Sequence, residues 1–301
     1  MRRAIALLFL LLFVLAGCET EKDPVYEPLD PSLHLTDGFC LLSRNRVVLN
    51  HYDIDYYDYS AHLIYLKEPL DFEEEFAVPG IASVYADSTR IYDLSLFSAV
   101  ASYIVYGPLI MVPQWMYPDY TVNIQHFWNA MQVAKEGNNP CKDPRIVEAL
   151  KKYGQFRHGL QCEIHSIRVQ EGEGLILELE LRNEDPISYY YWDPAKLGIG
   201  CYHYVTNGLF LIDEYGEHYR NHVEHLSWDL ADQDRMSLLE SDSSVILTLN
   251  YEDFDELPPG SYDAYFEFPA QHYNISREDL DLEDGRIWLG ELDLYATVEI
   301  Q

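Results

Sequence analysis

Residues 175–183 read LILELELRN, with Leu177, Leu179 and Leu181 on one side of the alternation and Glu178 and Glu180 on the other. A period of two matches the pleat of a β-strand and puts apolar and charged side chains together on each face of a helix. No other stretch restricts the fold as tightly. Similar strand candidates follow: ISYYYW, LFLID, EHYR, SVILTLN, SYDAYFEF and LYATVEI. Asp213-Glu214-Tyr215-Gly216 and Pro258-Pro259-Gly260 supply turn chemistry between them. About seven or eight strands in roughly 140 residues indicate an all-β sandwich over 158–301.

The stretch before residue 158 has a different texture. FCLLSRNRVVL (39–49), YSAHLIYLK (59–67) and IASVYA (81–86) are β-like by their branched and aromatic content. Residues 94–118 carry no charge, but Gly107-Pro108 and Pro113 break any continuous helix, so this segment reads as buried core, a helix followed by an extended piece, and not as a membrane span. Ile124, Phe127, Trp128 and Met131 recur at helical spacing, with Gly137 as a stop. Asp143-Pro144 then opens DPRIVEALKKYG, with Ile146, Val147 and Leu150 inward and Gly154 closing the helix. The expected fold class is an α+β N-terminal domain over 36–157 followed by the sandwich.

The chain begins MRRAIALLFLLLFVLAGC, a basic flank, a short apolar core and small residues. That is the layout of a secretory signal segment, and it is short for a membrane span of about 20 residues. Leu15-Ala16-Gly17-Cys18 resembles the lipobox of bacterial lipoproteins. The resemblance implies a signal peptide over 1–17, lipidation of Cys18, and an acidic, proline-bearing tether over 18–35. Several acyl chains on one cysteine hold a protein to a bilayer stably, whereas one chain does not. Glu19 stands where inner-membrane retention favours Asp, so the resemblance implies the outer membrane. ETEKD also resembles the charged tether with which some Gram-negative groups send lipoproteins to the cell surface. Periplasmic and surface placement both stay open.

The 301 residues carry a formal charge of −31, which repels nucleic acid and anionic membrane faces. Disorder does not account for the acidity, because 48 % of the chain is hydrophobic and it holds 25 tyrosines. Four cysteines besides Cys18 (Cys40, Cys141, Cys162, Cys201) stand in a compartment that permits disulfides; Cys141–Cys162 is slightly favoured as a staple between domains, with four buried thiols the alternative.

The sandwich segment resembles immunoglobulin-like accessory domains of exported bacterial proteins. The resemblance rests on Asn183 and Asp185, Asp213 to Gly216, Ser244 to Leu249, and Leu257 to Tyr262. It covers under half the chain and implies fold more than function, with protease-inhibitor and prodomain modules among similar domains.

EHYRNHVEH brings His218, His222 and His225 close in sequence, a weak metal candidate without the glutamate of H-E-x-x-H. DIDYYD (53–58) and DLDLEDG (279–285) lack the glycine and glutamate that an EF-hand loop needs at positions 6 and 12. No nucleophile elbow, phosphate loop or dinucleotide fingerprint occurs, and no cofactor is expected. Tyrosine clusters Tyr56, Tyr57, Tyr59 and Tyr189, Tyr190, Tyr191, Trp192 are candidate contact aromatics for a surface glycan or an envelope protein. The expectation is a lipid-anchored outer-membrane protein with a non-catalytic binding or assembly role. The alternatives are an exported hydrolase or metal-dependent enzyme sited in the N-terminal domain, and a protease-inhibitor-like module.

Overall fold

The alternating segment forms a strand as its sequence requires. Leu175, Leu177, Leu179 and Leu181 are fully buried while the residues between them are half-exposed. The computed structural model describes residues 37–44, 46–76, 78–102, 105–127, 139–170, 174–204, 206, 208–226, 233–268 and 275–300. The first half contributes β1 (Phe39–Ser43), β2 (Arg46–Leu49), β3 (Ile54–Asp58), β4 (Leu63–Leu66), β5 (Gly80–Ala86), β6 (Thr89–Ser98), β7 (Gly107–Val112), β8 (Thr121–Asn123), β9 (Gln125–Phe127) and β10 (Phe156–Arg157). The second half contributes β11 (Leu160–Val169), β12 (Leu175–Asn183), β13 (Tyr189–Trp192), β14 (Leu209–Asp213), β15 (His218–Arg220), β16 (Met236–Leu239), β17 (Ser243–Tyr251), β18 (Gly260–Phe268), β19 (Asp281–Leu282), β20 (Gly285–Ile287) and β21 (Leu292–Ile300).

These strands build five small sheets, ordered β2-β1-β5-β6-β7-β9, β10-β3-β4-β8, β11-β12-β17, β16-β13-β20-β19 and β15-β14-β18-β21. The sheets are arranged as a five-bladed β-propeller. The blades are not continuous runs of chain: β17 joins one sheet and β18 another, and β6–β7 and β13–β20 pair in parallel.

The expected fold class is therefore corrected in both halves. Strand accounts for 51 % of the structure and helix for 13 %, so the first half is not an α+β domain. Residues 158–301 divide among three sheets, so an immunoglobulin-like sandwich of two layers does not form. The misreading has a physical origin: alternation fixes which face of a strand is buried but carries nothing about which strand it pairs with.

At element level the agreement is mixed. The helix α2 (Pro144–Lys152) forms as expected, with the Asp143 carboxylate accepting from the Arg145 amide and Ile146 and Leu150 buried, but Val147, expected inward, is only half-buried and Ala149 takes the third buried position. Among the described residues of the first half the other α-helix, α1 (Phe72–Glu75), is a single turn capped by Asp71. The helix expected through Ile124 and Phe127 is instead β8 and β9, because Val122 and Ile124, two apart, both enter the core while β8 pairs with β4. Trp128 and Met131 lie outside the described residues. The uncharged segment at 94–118 holds the end of β6 and all of β7, and among the described residues no helix is long and apolar enough to cross a membrane.

Leu35–Gln301 form one compact unit. One large apolar cluster mixes Tyr56, Leu63, Tyr65 and Tyr120 from the first half with Leu177, Tyr189, Phe268 and Trp288 from the second. No disulfide joins Cys40, Cys141, Cys162 and Cys201, so the staple expected between Cys141 and Cys162 is absent; the first three are buried and Cys201 is half-buried.

Candidate functional site

The seven candidate contact aromatics sit mostly inside. Tyr56, Tyr57, Tyr189, Tyr191 and Trp192 are each 5 % exposed or less, and Tyr59 and Tyr190 are half-buried. The Tyr56 ring stacks on Tyr65 with centroids 4.1 Å apart, and the Arg286 guanidinium lies 4.8 Å over its face. Burial holds the Tyr56 hydroxyl well above its usual pKa. The short strands β3 and β13 lie inside their sheets with both faces covered, which alternation within YYDY and YYYW cannot reveal.

The three histidines are exposed and do not converge. His218 stacks on Phe210, the His222 Nε2 lies 2.8 Å from an Asp255 carboxylate oxygen, and the His225 ring is 6.5 Å from that of His203. Among the described residues no group of three or more His, Cys, Asp or Glu could hold a metal ion. The two acidic strings are likewise committed elsewhere: Asp53 accepts from the Asn50 amide, Asp58 is buried, and Asp281 pairs with Arg286.

Three buried polar clusters have chemistry-bearing side chains, and in each the bonds turn inward. Asp58, 1 % exposed, accepts at Oδ1 from the Ser60 and Ala61 amides and the Ser60 hydroxyl, and at Oδ2 from the Trp288 indole N–H at 2.7 Å. Burial pushes its pKa up to about 6 against the pull of those donors. Beside it Asp185 accepts from the His158 and Gly159 amides and the Tyr189 hydroxyl, all within 2.9 Å. His203, with no exposed surface, is held between the Thr206 and Tyr251 hydroxyls at 2.9 and 2.8 Å, and burial pulls its pKa down to about 3. The third cluster joins Tyr57, His62 and Asn139, whose Oδ1 also accepts from the Cys141 amide. A Cys–His–Asn set invites a nucleophile reading, but burial pushes the Cys141 thiol up to about 12, away from the thiolate that such chemistry requires.

An open groove of about 520 Å³ offers a different kind of site. Two backbone contacts assemble it: Leu66 donates to the Tyr120 carbonyl and Leu70 to that of Asp119, zipping segment 66–70 onto the turn before β8. The buried Phe72 ring and half-buried Leu70 and Pro113 give it an apolar lining, with Pro69 at the edge. Exposed Asp71, Glu73 and Asp119 contribute three carboxylates. Trp115, 59 % exposed, lies two residues beyond Pro113 in the chain. The sequence did carry a local signal here, since Asp71 followed by Glu74 is a helix-start pattern, but nothing in it placed Asp119 beside Asp71. The exposed aromatics are also ones the clusters did not single out: Tyr52, Tyr106, Trp115 and Tyr215 are each 59 % exposed or more.

No protein-family model matches this chain, and no curated protein is significantly similar to it.

Proposed function

We propose that this chain is a lipid-anchored, non-catalytic protein of the bacterial outer membrane that binds a partner through the Leu70–Phe72–Pro113 groove. The groove carries the reading: its volume lies in the roughly 300–1,000 Å³ range of ligand clefts, and apolar lining with a few polar groups is the usual composition of such sites. The inward bonding of Asp58, His203 and Cys141 supports a binding role over a hydrolytic one. The inhibitor-like alternative rested on the resemblance to a sandwich, which does not form. Anchoring rests on Leu15-Ala16-Gly17-Cys18, which lies outside the described residues.

Fractionation of cells expressing the full chain tests the anchor. The wild type is expected in the outer-membrane fraction and Cys18→Ala in the soluble envelope fraction; equal distribution of the two rules the anchor out. Proteinase treatment of intact cells then separates a surface-facing protein, which is digested, from a periplasm-facing one, which is protected.

A further inference from the structure

We infer that the groove receives a short basic segment of another protein, with apolar residues between its lysines or arginines. This rests on the binding reading above and names the chemistry of the partner. Among the described residues no Lys, Arg or His pairs with Asp71, Glu73 or Asp119; Arg46 pairs instead with Glu75 at the end of α1, and Lys67, the cation nearest in sequence, with the Tyr52 carbonyl. Asp71 uses one oxygen to cap α1, accepting from Glu74 at 3.1 Å, which leaves the other available. Three carboxylates around an apolar lining match a ligand that alternates cationic and apolar groups.

The same charges disfavour other occupants. A second copy of this chain also carries −31, and the 18–35 segment holds five acidic residues against one lysine. A divalent cation does not need the apolar lining, and no metal-holding group occurs among the described residues. A polyamine supplies charge without apolar contact.

The experiment uses the full mature chain and three fluorescent probes: an octapeptide alternating Lys and Leu, its Gln/Leu counterpart, and labelled spermine. The groove variant is Asp71→Asn/Glu73→Gln/Asp119→Asn, whose first substitution keeps a side-chain oxygen able to cap α1. The control is Glu252→Gln/Glu256→Gln/Glu299→Gln, with the same change in net charge at exposed sites away from the groove. The Lys/Leu peptide is expected to bind the wild type and the control alike, and the groove variant about tenfold more weakly. Equal weakening in both variants, or spermine binding as tightly as the peptide, makes the attraction one of bulk charge and overturns the inference. If the Gln/Leu peptide binds as well as the Lys/Leu peptide and Leu70→Asp abolishes both, the groove is a binding site but its partner is not basic. If neither peptide binds, the inference fails; if Leu70→Asp also leaves capture of envelope proteins by the anchored chain unchanged, the binding reading fails with it.

Discussion

Asp58 shows how one side chain joins segments far apart in sequence. Its carboxylate takes four donors, and the Trp288 indole comes from 230 residues away. Gly159 sits against it with a φ of +74°, and a Cβ there would lie 1.9 Å from the Asp58 Oδ1. Gly159→Ala therefore both strains the backbone and displaces the carboxylate; an unfolding midpoint in urea far below the wild type is the expected result. Asp58→Asn keeps the volume but turns an NH₂ toward donors, and a loss of about 1–3 kcal/mol is expected by the same measurement near pH 4. The pH dependence has a definite sign. The folded pKa of about 6 exceeds the unfolded value near 3.8, so the native state holds its proton more tightly, and this group's contribution declines as pH rises from about 4 to about 6. Wild type minus Asp58→Asn should thus fall across that window, by an amount on the order of 3 kcal/mol. Thiol chemistry gives a second reading at this scale: burial lifts Cys141 and Cys162 to about 12, so both should resist a disulfide reagent at pH 8 until denaturant is added.

Elements divide into those that local chemistry specifies and those that partners specify. α2 is of the first kind: Asp143, Pro144, Lys151, Lys152 and Gly154 each suit their position in the helix, and Gly154 adopts a φ of +68°. Asp143→Ala removes the cap and its pairing with Arg145, and a loss of about 1 kcal/mol in thermal or urea unfolding is expected. β12 is equally legible, since its alternation persists across nine residues. The stretch at 121–127 is of the second kind. Ile124 and Phe127 satisfy a helical spacing only over a few residues, and pairing of Thr121, Val122 and Asn123 with β4 decides the matter. The tyrosine clusters mislead for a related reason. YYDY and YYYW read as β-like, but their burial depends on sheets that cover both faces, and short strands do not state that in their own residues.

At the scale of the whole molecule, the readable part was that the second half is strand-rich and that the chain is folded despite its acidity. The division into five sheets was not readable, because the contacts that enforce it are remote: Arg277 donates to the Leu66 carbonyl, and Tyr120 to that of Ile275. The groove shares this origin, since a backbone bond from Leu70 to Asp119 creates it. Remote contact also concentrates like charge. Glu267 and Asp293 face each other across β18 and β21, with Glu291 just before β21. Burial, added to by Asp293 and Glu267, lifts the half-buried Glu291 to about 7, whereas Asp293 is exposed. The Glu291 value exceeds the unfolded one near 4.5, so a proton binds the native state more tightly and stability should rise as pH falls from 8. His203 acts in the opposite sense. Its folded pKa of about 3 lies below the unfolded 6.5, so its contribution is present above about pH 6.5 and is lost as pH falls toward 3. Asp58 and Glu291 thus gain over the same range in which His203 loses, and the two carboxyls outweigh the one imidazole down to about pH 4. The melting temperature is therefore expected to increase from pH 8 to about pH 5. Glu291→Gln should reduce that rise, whereas a melting temperature that increases steadily with pH through this range would show that these carboxyls are solvated rather than desolvated.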